Sequence, residues 1–242
     1  MLRTDFSYHL PPELIAQEPR PRGESRMMVV ERGGDAEVPS HRVISEFPSL
    51  LEPGDIVVLN DTRVFPARLF ARTRGNQTRR TEVLLTRRIG ASKWESWCRP
   101  AKRLKVGDTL EFSDTLSASV EHKQDEGTVV IDMNVQGEAE LWREIEAAGL
   151  PPLPPYIRRE VPQPGDRERY QTIYASRTGA IAAPTAGLHF THEILDAIRA
   201  RGAQIVTLTL HVGLGTFKPV KADDVRDHRM ESEWYEISEE AS

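Results

Sequence analysis

Two runs decide how this chain is read: Thr81-Glu82-Val83-Leu84-Leu85-Thr86 and Thr128-Val129-Val130-Ile131-Asp132-Met133. Both are rich in β-branched and aliphatic residues and both are short, as strands are. Runs of the same kind recur nearby at Arg68–Arg72, Trp94–Cys98, Thr109–Phe112 and Ser117–Glu121. Turn formers separate them at Gly75-Asn76, Gly107-Asp108 and Glu126-Gly127. Strands at this spacing predict a small barrel or sandwich over residues 66–135.

Outward from that block the pattern changes. Glu138–Gly149 places Leu141, Ile145 and Ala148 on one helical face, and Gly149 is a natural stop. Pro151-Pro152-Leu153-Pro154-Pro155 then forces an extended connector. Beyond it Thr191 caps a helix that runs to about Arg201, with Glu193 in its first turn and Gly202 ending it. Gln204–Leu210 is an apolar strand rich in β-branched residues. On the other side, Pro11–Ala16 suits a short helix, and Met27–Glu31 a strand ending in the turn Gly33-Gly34. Ile56–Leu59, after the turn Pro53-Gly54-Asp55, reads as a strand buried on both faces. The expected fold class is therefore α/β. Residues 1–65 and 150–242 form one discontinuous mixed α/β domain, and residues 66–149 are a small β domain inserted into it.

Composition excludes several classes. The chain has 242 residues, enough for a substantial core, with 38% hydrophobic and 29% charged residues. No apolar run approaches the ~20 residues of a membrane helix. The first residues, Met1-Leu2-Arg3-Thr4-Asp5, lead into polar sequence and not into the apolar core of a secretory leader. A single cysteine, Cys98, forms no internal disulfide and supports neither a cysteine-rich zinc site nor an iron–sulfur cluster. Cys98 reads as a small half-buried hydrophobe, and the cytoplasm is the expected compartment. Zinc held by histidines and carboxylates stays open at this point. The net charge of −5 argues against a general nucleic-acid coat, though not against a local basic face. Two such clusters exist: Arg72, Arg74, Arg79 and Arg80 in one hairpin, and Arg99, Lys102, Arg103 and Lys105 in a loop.

Five segments carry chemistry. Gly179–Thr191 is rich in small residues and runs into a helix N-terminus, where free N–H groups favour anions. Thr185, Gly187 and His189 lie in it, and its alternative reading is a tight packing loop. His211–Val220 follows the apolar strand directly, where α/β proteins bind ligands. Gly213, Gly215 and Thr216 lie in it, but a third glycine is missing and no dinucleotide fingerprint results. Asp227–Tyr235 brings His228, Glu233 and an aromatic platform, against the alternative of a solvated charged face. Asn60 and Asp61 follow the strand Ile56–Leu59. Asp61 either pairs with Arg63 or Arg68 as scaffold or holds a ribose hydroxyl. Finally, Arg158, Arg159, Arg167 and Arg169 suit phosphate, with Tyr156 and Tyr170 as stacking surfaces, or else they form ion pairs with Asp166 and Glu168.

Leu59–Leu69, Leu153–Arg158, Asp166–Ala175, Gly179–Thr191 and Thr209–Val220, in that order, resemble signature stretches of the S-adenosylmethionine:tRNA ribosyltransferase-isomerases. Asp5-Phe6, Leu14-Ile15-Ala16-Gln17 and Ser25-Arg26 are similar to that family's N-terminus. The run Ala182-Ala183-Pro184-Thr185-Ala186-Gly187-Leu188-His189-Phe190 is long and distinctive. The resemblance implies an α/β domain carrying an inserted β-barrel. It implies transfer of the ribosyl part of S-adenosylmethionine onto 7-aminomethyl-7-deazaguanine in tRNA. Rearrangement then gives epoxyqueuosine, and adenine and methionine leave. S-adenosylmethionine is then a substrate, and no prosthetic group or metal is expected. The partner is tRNA, with no membrane, and a monomer is the expected state.

For that chemistry His189, His211, His228 and Glu233 are the catalytic candidates, since bases active near neutrality must move the protons. Asp61, Thr185, Gly187, Gly213, Gly215 and Thr216 are candidates for substrate contacts. Arg99, Lys102, Arg103, Arg158 and Arg167 are candidates for tRNA phosphates. Two departures stand out. Glu231 occupies the place of the second histidine in the family's His-x-Met-His-Ser-Glu pattern. The sequence also stops where family members continue for roughly another domain's length, on the ~100–150 residue scale. A catalytically impaired form that binds tRNA is thus the alternative expectation. A methyltransferase is disfavoured, because no glycine-rich loop after a first strand is matched by an acidic residue on the next.

Overall fold

The computed structural model describes residues 1–31, 39–74, 76–159, 163 and 165–242. The turns expected at Gly33-Gly34 and at Gly75 lie outside the described residues. β1 (Arg26–Val29) and β2 (Ser40–Val43) form an antiparallel ribbon. β3 (Ile56–Asn60) follows, then β4 (Thr62–Val64). The expected N-terminal helix is only a 3-10 turn, Pro12–Leu14, none of whose residues is buried against a neighbour.

Alternation then builds a closed barrel. Its strands are β5 (Arg68–Thr73), β6 (Asn76–Arg88), β7 (Lys93–Arg99), β8 (Thr109–Glu111), β9 (Ser117–Lys123) and β10 (Thr128–Met133). They close antiparallel in the order β10-β7-β6-β5-β8-β9. Leu69, Ala71, Val83, Leu85, Leu110, Ala118, Val120, Val129 and Ile131 fill the interior from alternate positions. Each buried Leu or Ile stabilises by about 1.5–3 kcal/mol. Gly107 and Gly127 adopt φ of 90° at the predicted turns. Cys98 is buried in the same interior, and burial pushes its thiol up to about 12.

α1 (Glu138–Ala148) closes one end of the barrel with Leu141 and Ile145 buried. Phe65, Trp94 and Trp142 pack there with ring centroids 5.5–5.9 Å apart. The helix stops where its chain is stitched to the first barrel strand. The Leu150 N–H donates to the Arg68 carbonyl at 2.9 Å. A Cβ on Gly149 would lie 2.0 Å from the Pro66 carbonyl oxygen, so only glycine permits this approach.

α2 (Asp166–Arg169) and β11 (Arg177–Ala180) come next, and β11 pairs parallel with β4. α3 (His192–Ala200) is capped as expected, with Thr191 Oγ1 accepting the Ile194 N–H at 3.3 Å. β12 (Gln204–His211) pairs parallel with β3 and antiparallel with β13 (Trp234–Ile237). α3 covers one face of this sheet through Ile194, Leu195 and Ile198 against Leu59 and Ala203. The other face is open. Ile56 is 61% and Val58 55% exposed, which corrects the reading of β3 as buried on both faces. The reason is that β3 is an edge strand and α3 covers only one of its faces. Ile181 and Leu214, from the α/β part, join the barrel's own core cluster.

Candidate functional site

The site grows from a strand splice. At the end of β3 the Asn60 side chain imitates a strand backbone. Its Oδ1 accepts the N–H groups of Thr62 and Leu210, both at 3.0 Å, and its Nδ2 donates to the Leu210 carbonyl at 2.9 Å. The chain thus leaves β12 and turns, through Asp61, to pair with β11. Such a switch at the carboxyl ends of parallel strands opens a crevice for ligands.

Asp61 binds the splice together. Its carboxylate accepts the Thr209 hydroxyl at 2.6 Å and the Ser176 hydroxyl at 2.7 Å. Its carbonyl accepts the Ser176 N–H at 2.8 Å. Neither sequence reading of Asp61 anticipated these hydroxyl partners. Its carboxylate joins β12 to the segment before β11, and no salt bridge to Arg63 or Arg68 is present among the described residues.

His211 ends β12 beside it. Its Nδ1 shares a hydrogen bond with Thr62 Oγ1 at 2.7 Å. Trp234 stacks on the ring, centroids 4.7 Å apart at 21°. Gly179 packs on the face of the ring near Nε2, where an added Cβ would sit 2.3 Å from Nε2, 2.5 Å from Cδ2 and 2.6 Å from Cε1. Burial lowers the His211 pKa first, the Arg177 charge lowers it further, and Asp61 opposes both. Near neutrality the ring is therefore uncharged and able to accept a proton. Arg177 forms an ion pair with Glu236 at 2.5 Å.

The neighbouring loops are placed by the same elements. The Ile181 N–H donates to the Val212 carbonyl at 3.0 Å, laying the 181–189 loop beside the 212–217 loop. Glu233 Oε1 accepts the Gly213 N–H at 2.7 Å, and Glu231 pairs with Lys218 and lies over Gly215. Thr216 is exposed in the 3-10 turn Leu214–Phe217. Gly187 is buried, and a Cβ there would meet the Tyr174 hydroxyl at 2.3 Å. That hydroxyl is pushed up to about 12 by burial, with the nearby Arg22 charge opposing. Thr185 is exposed at the start of its turn, and the His189 carbonyl accepts the Gly23 N–H at 3.1 Å. His228 follows a separate 3-10 turn, Val225–Asp227. Among the described residues no hydrogen bond joins His189 or His228 to the His211 cluster.

The basic candidates divide. Arg99, Lys102 and Arg103 are exposed beside the barrel, and Arg158 is exposed after the proline connector. Arg167 instead donates to the carbonyls of Glu146 and Gly149 at 2.7 and 2.5 Å, so it caps the end of α1. Arg159 pairs with Asp166 and Glu18 at 3.4 and 3.2 Å. The side chain of Arg79 lies outside the described residues. Among those described, no histidine, cysteine and carboxylate group forms a metal-binding cluster, and no helix is long and apolar enough to cross a membrane.

Sequence reasoning missed Thr62, Ser176, Arg177 and Thr209 as members of the cluster. Thr62 and Thr209 lay inside segments already singled out. Ser176 and Arg177 carried no local signal. Arg22, whose guanidinium donates to the carbonyls of Leu188 at 3.0 Å and Gln171 at 2.5 Å, was also missed.

Fold and site define an α/β protein with a closed barrel and a polar cluster at the carboxyl ends of its parallel strands. A family model described as "Queuosine biosynthesis protein" matches residues 3–242. The S-adenosylmethionine:tRNA ribosyltransferase-isomerase of Desulforamulus reducens is 44% identical over 100% of this chain and 69% of its own length. That of Symbiobacterium thermophilum is 46% identical with the same coverage, and that of Parvibaculum lavamentivorans 48% over 98% of this chain and 67% of its own. A crystal structure of S-adenosylmethionine tRNA ribosyltransferase from Thermotoga maritima is 34% identical. It covers 87% of this chain and 59% of its own, with a TM-score of 0.34. The chain belongs to the family of queuosine biosynthesis proteins, the S-adenosylmethionine:tRNA ribosyltransferase-isomerases, which are transferases.

Proposed function

We propose that this chain transfers and isomerises the ribosyl moiety of S-adenosylmethionine onto 7-aminomethyl-7-deazaguanine in tRNA, giving epoxyqueuosine and releasing adenine and methionine. The observation that carries this is the match to enzymes of that name along the whole chain, 44% identical to one of them. S-adenosylmethionine is the ribosyl donor, and no prosthetic group takes part. Residues 1–65 and 150–242 act as one α/β domain and residues 66–149 as an inserted barrel. The protein works as a cytoplasmic monomer.

The chemistry sets the roles. The sulfonium acidifies the adjacent ribose carbon, so a neutral base must take a proton there. His211, held uncharged by burial, fits that task, and Thr62 orients its ring. His189 and His228 serve the other proton transfers, at the leaving adenine and the attacking amine. Glu233 holds the Gly213 turn, and with it Gly215 and Thr216, in place for substrate. Asp61, Thr185 and Gly187 contact the ribose or the methionine part. Arg99, Lys102, Arg103, Arg158 and Arg167 face tRNA phosphates, Arg167 only after leaving the end of α1.

A second reading is favoured by one observation. The open sheet face carries Ile56, Val58, Tyr235 and Ile237, all more than half exposed. An apolar face left uncovered is incompletely packed, which favours a catalytically impaired chain that binds tRNA through its basic loops without turnover. Incubation with S-adenosylmethionine and tRNA bearing the aminomethyl base separates the two. Release of adenine and methionine that depends on that tRNA supports the enzyme. Binding without release supports the second reading.

A further inference from the structure

On the outside of the barrel β5 carries Arg68, Phe70 and Arg72 at alternate positions while Leu69 and Ala71 point inward. The pairing register sets Arg72 directly opposite Arg80 of β6. Like charges directly opposite each other across antiparallel strands destabilise a sheet. Among the described residues neither arginine is paired with a carboxylate. Glu111, which faces Arg72 from β8, is engaged by Arg74 at 2.7 Å. The Arg80 guanidinium carbon sits over the Phe70 ring, 3.9 Å from its centroid, and Arg68 approaches the same ring at 5.2 Å. A cation–π contact of that kind restrains the guanidinium without neutralising its charge. These residues line a cleft of about 770 Å³, and Asp114 is the other acidic group in it. An arginine pair without carboxylate partners, one guanidinium restrained over an aromatic ring, suits an anionic partner that carries planar groups.

We propose that this cleft holds the sugar–phosphate backbone of the tRNA, with Arg72 and Arg80 on phosphates and the outer face of Arg80 available to a base. This rests on the reading that the chain acts on tRNA. It extends the basic surface of the Arg99–Arg103 loop, which adjoins the cleft because Glu82 pairs with Phe70 on one side and Arg99 on the other, and it accounts for a like-charge pair that folding alone disfavours.

The test uses the intact chain with Arg72→Gln and Arg80→Gln, singly and together, and Arg199→Gln on α3 as an exposed control. The measurements are tRNA affinity across a salt series, S-adenosylmethionine affinity, and melting temperature. The double variant should bind tRNA roughly tenfold more weakly at moderate salt, and its dependence of log affinity on log salt should flatten by about 0.7–0.9 per lost phosphate contact. It should melt at or above the parent temperature, because the repulsion is gone, and bind S-adenosylmethionine as the parent does. Parent-like tRNA affinity and salt slope would overturn the inference. So would a fall in melting temperature that accounts for the weaker binding. If the parent itself binds no tRNA, the functional reading falls first and this inference with it.

Discussion

At the residue scale the account turns on His211. Gly179→Ala would drive a methyl group into the face of the imidazole, and Trp234 and Thr62 leave the ring little room to yield. The expected cost is about 1–3 kcal/mol of stability, read by denaturant unfolding, together with loss of adenine release. His211 also links stability to pH. Its folded pKa lies below the ordinary 6.5, so the unfolded chain binds the proton more readily. Stability should be level above 6.5, fall as pH drops from there toward the lowered folded value, and level off again. His211→Gln should remove that limb of the curve, and an unchanged limb would assign it to another group. Cys98, with its thiol raised to about 12 inside the barrel, should resist alkylation in the native state and react once unfolded. Labelling of the folded chain at the unfolded rate would contradict that burial. His211 and Asp61 were legible in the sequence because each lies just past an apolar strand. Ser176 and Arg177 were not, because they reach the cluster only through the pairing of β11 with β4, which no local pattern encodes.

Elements were legible where one physical cause dominates. The Thr191 cap, the apolar face of α1 and each barrel strand follow from short-range pattern, and β10 has the bounds read from sequence. Thr191→Ala should cost about 0.5–2 kcal/mol. Ile145→Ala, which empties the contact between α1 and the barrel end, should cost about 2–5 kcal/mol. Equilibrium urea curves report both, and if the cap loss exceeded the core loss the ranking of local over packing terms would be wrong. Elements failed where neighbours decide. Ile56–Leu59 has the composition of a doubly buried strand, yet coverage depends on what stacks on each face, and α3 with Ile44, Phe47 and Leu51 packs on one face while Ile56 and Val58 stay exposed on the other. Pro11–Ala16 has helical residues after its prolines, but no partner surface extends the turn.

At the scale of the whole molecule, closing the barrel ties together residues that the sequence leaves apart. Phe65, Ile181 and Leu214 enter the barrel's core from the α/β side, so the loops of the candidate site are anchored against barrel packing. Loss of barrel packing should therefore reach the site, and Leu110→Ala should weaken S-adenosylmethionine binding along with stability. The barrel itself was visible as a change of period in the sequence. The shared core was not, because it is made of single residues from distant segments. The central claim is that the ribosyl group, and not the methyl group, moves to tRNA. The most direct measurement supplies S-adenosylmethionine labelled in its ribose carbons, or separately in its methyl group, to the chain with tRNA bearing 7-aminomethyl-7-deazaguanine. Mass spectrometry of the digested nucleosides then locates the label. Ribose label should appear in the modified nucleoside, only with that tRNA, and methyl label only in released methionine. Methyl label in the tRNA, or ribose label in no nucleoside while adenine is released, would contradict that claim.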